Sequence, residues 1–131
     1  VAHAYGSTTG VTIDAADASG GIYGIKAEHF GGGALKITAT GTVKGTVKAG
    51  ILADNESSSA ASTTQVTVAQ GASVTGGTIG VELTSGTGRA LSLGNGGAIS
   101  GIKGIVAHTG GNATLTNTGT ITGMSMSRAA G

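Results

Sequence analysis

An apolar strand residue followed eight positions later by Val or Ile recurs four times in this chain: Leu35 to Val43, Val66 to Val74, Leu91 to Ile99 and Ala113 to Ile121. Self-similarity of this kind, with variable length elsewhere in the unit, marks a stacked repeat and not a closed globular core. Each unit holds three apolar pulses. The first follows a Gly: Gly24-Ile25-Lys26-Ala27, Gly50-Ile51-Leu52-Ala53, Gly80-Val81-Glu82-Leu83 and Gly104-Ile105-Val106-Ala107. The second is an alternating pair: Val11-x-Ile13, Leu35-x-Ile37, Val66-x-Val68, Leu91-x-Leu93 and Ala113-x-Leu115. The third is the lone Val43, Val74, Ile99 or Ile121. Alternation with period two over a few residues predicts short strands with one buried face, and Gly at the junctions is expected to supply positive φ for sharp corners.

The constant spacing from second to third pulse predicts a packed corner, with the large insertions confined to one face between the first and second pulses. Whole-unit steps of 26, 30 and 24 residues (Ile25, Ile51, Val81, Ile105) suit a coil of three short strands. The fold expected is therefore all-β: a parallel β-helix (β-solenoid) with three strands per coil and about four to five coils over residues 1–131. Composition agrees. Gly is 27 of 131 residues, charged residues are 10% and aromatics 2%, which leaves single aliphatics to fill a narrow interior. With no Cys, disulfides and thiolate metal sites are excluded. The net charge of +1 and the scattered Lys and Arg show no footprint for nucleic acid or an anionic membrane, and no run is long enough to insert in a bilayer.

Gln70, Asn95 and Asn117 each lie two residues after the second strand's last aliphatic. They are either a stacked amide ladder bonding along the solenoid or ordinary turn residues. Val1-Ala2-His3 matches Val106-Ala107-His108, so the chain opens inside a first strand. No amphipathic capping helix is visible at either end. That predicts a piece of a longer solenoid, or self-association through uncapped ends.

Asn117-Thr118-Gly119-Thr120-Ile121-Thr122-Gly123, Gly96-Gly97-Ala98-Ile99-Ser100-Gly101 and Gly41-Thr42-Val43-Lys44-Gly45 resemble the repeats of autotransporter passenger domains. Filamentous-haemagglutinin-like solenoids use similar wording. The likeness runs from about residue 11 to 124. It implies a right-handed β-helix, secreted by or displayed on a Gram-negative bacterium, with an extracellular or cell-surface location. Members are mostly adhesins, and the resemblance implies a host-cell protein or glycan as partner.

Motifs for chemistry are scarce in the chain. No G-x-S-x-G elbow is present, and the three His lack carboxylate partners in a recognisable arrangement. His3, His29 and His108 fall on coils too far apart to share a metal. The carboxylates Asp14, Asp17, Glu28, Asp54, Glu56 and Glu82 are spread over different coils. Gly31-Gly32-Gly33 lacks the Asp of a calcium nonapeptide, and Lys36 and Lys44 interrupt the Thr ranks an ice-binding face needs. No enzyme activity and no cofactor are therefore expected.

What remains is the insertion face, in loops 27–33, 53–64, 84–89 and 107–112. Glu28, His29, Phe30, Asp54, Glu56, Arg89 and His108 are its candidate binding residues. The bland alternative is that insertions are tolerated there and Phe30 folds back on its own loop. The reading is a non-enzymatic adhesin-like segment. A stalk or head-to-tail filament subunit is its rival, and a polysaccharide-active β-helix comes third.

Overall fold

The computed structural model describes residues 2–4 (by backbone alone), 10–57, 62–86 and 89–123. The chain winds as a β-solenoid with three strands on each rung. The first rung holds β1 (Ala2–Ala4), β2 (Val11–Ala15) and β3 (Ala18–Gly20). The second holds β4 (Ile25–His29), β5 (Leu35–Ala39) and β6 (Thr42–Gly45), and the third β7 (Ala49–Asn55), β8 (Thr64–Val68) and β9 (Ser73–Gly76). The fourth holds β10 (Ile79–Ser85), β11 (Leu91–Asn95) and β12 (Ala98–Ser100), and the fifth β13 (Lys103–Thr109), β14 (Ala113–Asn117) and β15 (Thr120–Thr122). Every third strand pairs in parallel, giving three five-stranded sheets. The first sheet runs from β1 to β13, the second from β2 to β14 and the third from β3 to β15.

In-register pairing turns the alternation of each strand into columns. Ile25, Ile51, Val81 and Ile105 are mutual neighbours on the first sheet, and Val43, Val74, Ile99 and Ile121 on the third. Ile51, Val43, Val74 and Val81 are wholly buried. Burying each such aliphatic stabilises the fold by about 1.5–3 kcal/mol.

The second sheet departs from the expected equivalence at Val66. Leu35 pairs with Thr64, which pairs with Leu91, while Val66 sits between Ile37 and Leu93. Val66 therefore lies one inward slot later than Leu35, Leu91 and Ala113, and the buried Thr64 fills their column. The displaced length is absorbed at 69–72, where Ala72 N–H donates to Ala69 O at 3.0 Å. Gly71 there has φ +83°, the turn position where a side chain is strained. Length variation is thus not confined to the insertion face.

Two further expectations are corrected. Gln70 sits exposed in that turn, whereas Asn95 pairs with Val68, so Gln70 is outside the amide ladder. Asn95 and Asn117 do stack: Asn95 Nδ2 donates to Asn117 Oδ1 at 2.8 Å and to Thr120 O at 3.1 Å. Each also caps its own corner, accepting from the N–H of Gly97 or Gly119. The junction glycines Gly24, Gly50, Gly80 and Gly104 do not have positive φ; among the described residues only Gly71 and Gly123 do. They are small because each faces the third sheet's aliphatic at close range. The expectation about end capping falls in part on 124–131, outside the described residues.

Candidate functional site

The outward slots of the first sheet assemble residues that the sequence scatters. Glu28 pairs with Asp54, Asp54 with Thr84 and Thr84 with His108, forming one outward column, and the backbone of His3 is in register with Glu28. The parallel column is Lys26, Leu52, Glu82 and Val106. Lys26 Nζ lies 2.6 Å from Glu28 Oε1 and 5.7 Å from the centre of the Tyr23 ring. The Glu28 carboxylate, foremost through that hydrogen bond, holds the Lys26 ammonium above its ordinary value.

Beside these columns lies an open groove of about 460 Å³. Leu52 and Ile79 give it an apolar lining, Tyr23 and Lys48 contribute an aromatic ring and a cation, and Asp54, Glu82 and Thr84 contribute polar groups. Asp54 is half-buried, and its Oδ1 has no hydrogen-bond partner among the described residues. Burial first, then the Glu56, Glu28 and Glu82 carboxylates, push its pKa up, with Lys26 opposing. The carboxylates expected to be dispersed thus feel one another across adjacent rungs. Among the described residues, no three His, Cys, Asp or Glu are arranged to hold a metal ion.

Of the sequence-predicted binding residues, the fold brings Glu28, Asp54 and His108 into one column. Phe30 and Glu56 directly follow β4 and β7 at the edge toward the second sheet, and Arg89 lies between β10 and β11 at the same edge. Phe30 is 39% exposed and Glu56 exposed. The Arg89 carbonyl accepts from Thr109 Oγ1 at 2.9 Å and Ser85 Oγ at 3.3 Å, which ties its loop to two rungs.

His29 does not belong to this surface. It is fully buried, because the alternation that turns Ala27 inward turns His29 inward too. It shares its inward column with Asn55, Ser85 and Thr109, a polar lining beneath the insertion edge that the sequence reading missed. Ser62 completes that lining, bonding to Asn55 and to Gly33 O at 2.8 Å. The signal was available: Asn55, Ser85 and Thr109 each close a strand two residues after an inward Ala or Leu.

His29 Nδ1 accepts from Gly31 N–H at 3.2 Å, which places the neutral ring's proton on Nε2, which has no partner among the described residues. Burial lowers its pKa from the ordinary 6.5. The folded ring holds a proton less tightly than the unfolded one, so unfolding takes a proton up. Stability is full above 6.5 and falls as pH drops through that value toward the lowered folded one. Asp54 has the opposite sign: its raised folded pKa means protonation relieves repulsion, and this acts in the carboxylate range above 3.8. The expected result is a thermal midpoint that falls from neutral to mildly acidic buffer, with the fall removed in His29→Gln. A flat wild-type profile across that window would contradict the buried placement.

Nothing in the sequence marks Tyr23, Lys48 or Ile79, and Leu52, Glu82 and Thr84 read there only as a repeat position, a dispersed carboxylate and a loop residue, since only rung-to-rung register aligns the groove. No family model, curated protein or solved structure matches this chain. Among the described residues, no helix is long and apolar enough to cross a membrane.

Proposed function

We propose that this chain is a non-enzymatic, adhesin-like β-helix segment, secreted or displayed on a bacterial surface. It binds a host or neighbouring-cell protein or glycan across the outward face of the first sheet and the adjoining loops. The observation that supports this reading most is the convergence of Glu28, Asp54 and His108 from three rungs into one column beside a groove of about 460 Å³. The resemblance of the repeats to autotransporter passengers supplies the biological setting. A rigid stack of parallel strands holds such a surface at fixed spacing without chemistry from any single residue.

The test is a binding screen of the chain against cells, matrix proteins and a glycan array. Wild type is expected to bind a member of these sets. The double variant Leu52→Arg, Thr84→Arg, which fills the groove with outward bulk, is expected to lose that binding with an unchanged circular dichroism spectrum. Phe30→Ala reports the contribution of the loop edge. No binding by wild type, or equal binding by the groove variant, would remove this reading.

A further inference from the structure

The corner between the third and first sheets carries a feature that sequence order conceals. Ile22, Val47 and Ile102 are 53%, 58% and 77% exposed, and all three occupy the turns that lead into β4, β7 and β13. Main-chain hydrogen bonds stack these turns. Val47 N–H donates to Gly21 O at 3.1 Å, Lys48 N–H to Ile22 O at 3.0 Å, and Lys103 N–H to Thr78 O at 2.8 Å. Val47 therefore lies one rung above Ile22, with Thr78 next and Ile102 beyond it. At roughly 4.8 Å per rung, the ridge is about 15 Å long.

Cations flank it. Lys44 on the outward face of β6, Lys48 in the corner and Lys103 at the start of β13 are exposed, and none has an ion pair with a described residue. Tyr23 adjoins them, half-buried. Of the first sheet's carboxylates, Glu28 lies farther along its strand, Asp54 and Glu82 line the groove that Lys48 borders on its other side, and Asp17 is spent at another corner, accepting from Thr42 N–H at 2.8 Å. Lysines that look scattered in sequence thus converge on one aliphatic edge.

The shape and chemistry of this edge select its occupant. Its aliphatic tips, Ile22, Val47 and Ile102, stand exposed on turns and are not among the residues that line the groove, so they do not enclose a small molecule. Bare aliphatic tips offer a sugar no hydrogen bonds. Three side chains fall far short of the roughly 800 Å² per partner of a stable protein interface, and a second copy on the same ridge would set lysine against lysine. A lipid surface requires neither shape complementarity nor directional bonds. Aliphatics enter the boundary between headgroups and acyl chains, lysines stay at the phosphates, and tyrosine favours that interface. We propose that this ridge is a peripheral docking edge for bilayers rich in anionic phospholipid, with Ile22, Val47 and Ile102 entering the interface and Lys44, Lys48 and Lys103 engaging headgroup phosphates.

The experiment is co-sedimentation of the full chain with vesicles of equimolar phosphatidylglycerol and phosphatidylcholine, against vesicles of phosphatidylcholine alone. Wild type is expected to partition onto the anionic vesicles and to be released by salt. Val47→Asp with Ile102→Asp, at exposed positions that leave the core untouched, is expected to weaken partitioning by roughly tenfold or more. Each Lys→Gln change at 44, 48 and 103 is expected to weaken it by about fivefold. Absence of wild-type binding, equal binding to phosphatidylcholine alone, or equal binding by the aspartate variant would overturn the proposal. So would retention on a sulfated polysaccharide that the aspartate variant shares, since that would show a generic polyanion site. These vesicles carry neither protein nor glycan, so this result and that of the adhesin screen stand or fall separately.

Discussion

Gly80→Val is expected to prevent cooperative folding or to lower stability by about 3 kcal/mol or more. A Cβ at Gly80 would sit 2.5 Å from both Gly104 O and Ile99 Cγ2, and 3.0 Å from Ser100 O. Two of those atoms are backbone of neighbouring strands, and the third belongs to a side chain buried to 1% exposure. Neither the backbone nor a packed aliphatic has room to yield, and valine adds two further methyl groups. Gly50 stands on the next rung in the same predicament, 2.6 Å from Val74 Cγ1. Gly94→Ala is the control. Nothing lies within 4 Å of its Cβ position, and the change is expected to be neutral or slightly stabilising. Urea denaturation of the two variants checks this, and a Gly80→Val protein as stable as wild type would refute the close corner.

Ile51→Asp is the second severe lesion, with an expected cost of more than about 4 kcal/mol, enough to leave most of the chain unfolded. Ile51 is wholly buried at the middle rung, in register with Ile25 on one side and Val81 on the other. A carboxylate there has no water and no partner. Leu52→Asp, one residue on, points outward into the groove and is expected to cost less than about 1 kcal/mol. In a solenoid each rung contacts only its neighbours, so damage at the middle severs the stack into two short pieces. Thermal denaturation followed by circular dichroism distinguishes the pair. Equal effects at 51 and 52 would mean that the strand does not alternate as described.

The contrast between neighbours also shows what the sequence could and could not disclose. The columns of Ile25, Ile51, Val81 and Ile105 were legible because a Gly precedes each aliphatic and small or apolar residues follow. Val66 was misplaced because hydrophobicity alone fits it equally well opposite Leu35 or Ile37. Only the turn at Ala69 to Ala72, with Gly71 at positive φ, selects the latter. That same turn removed Gln70 from the amide ladder and left Asn95 and Asn117 in it. His29 was assigned to the binding surface by its chemistry although the alternation around Ala27 places it inside. Glu28, Asp54 and His108 were found one by one from the insertion face, and their union into a column needed the rung register. The ridge of Ile22, Val47 and Ile102 was invisible, because single aliphatics far apart in sequence carry no period until the corners stack.

The measurement that tests the stacked columns most directly is a methyl NOESY spectrum of the chain with labelled Val, Leu and Ile. Cross-peaks are predicted from Val66 to Ile37 and Leu93, and from Val74 to Val43 and Ile99. A spectrum in which Val66 and Val74 show only contacts to residues near them in sequence would contradict the solenoid itself.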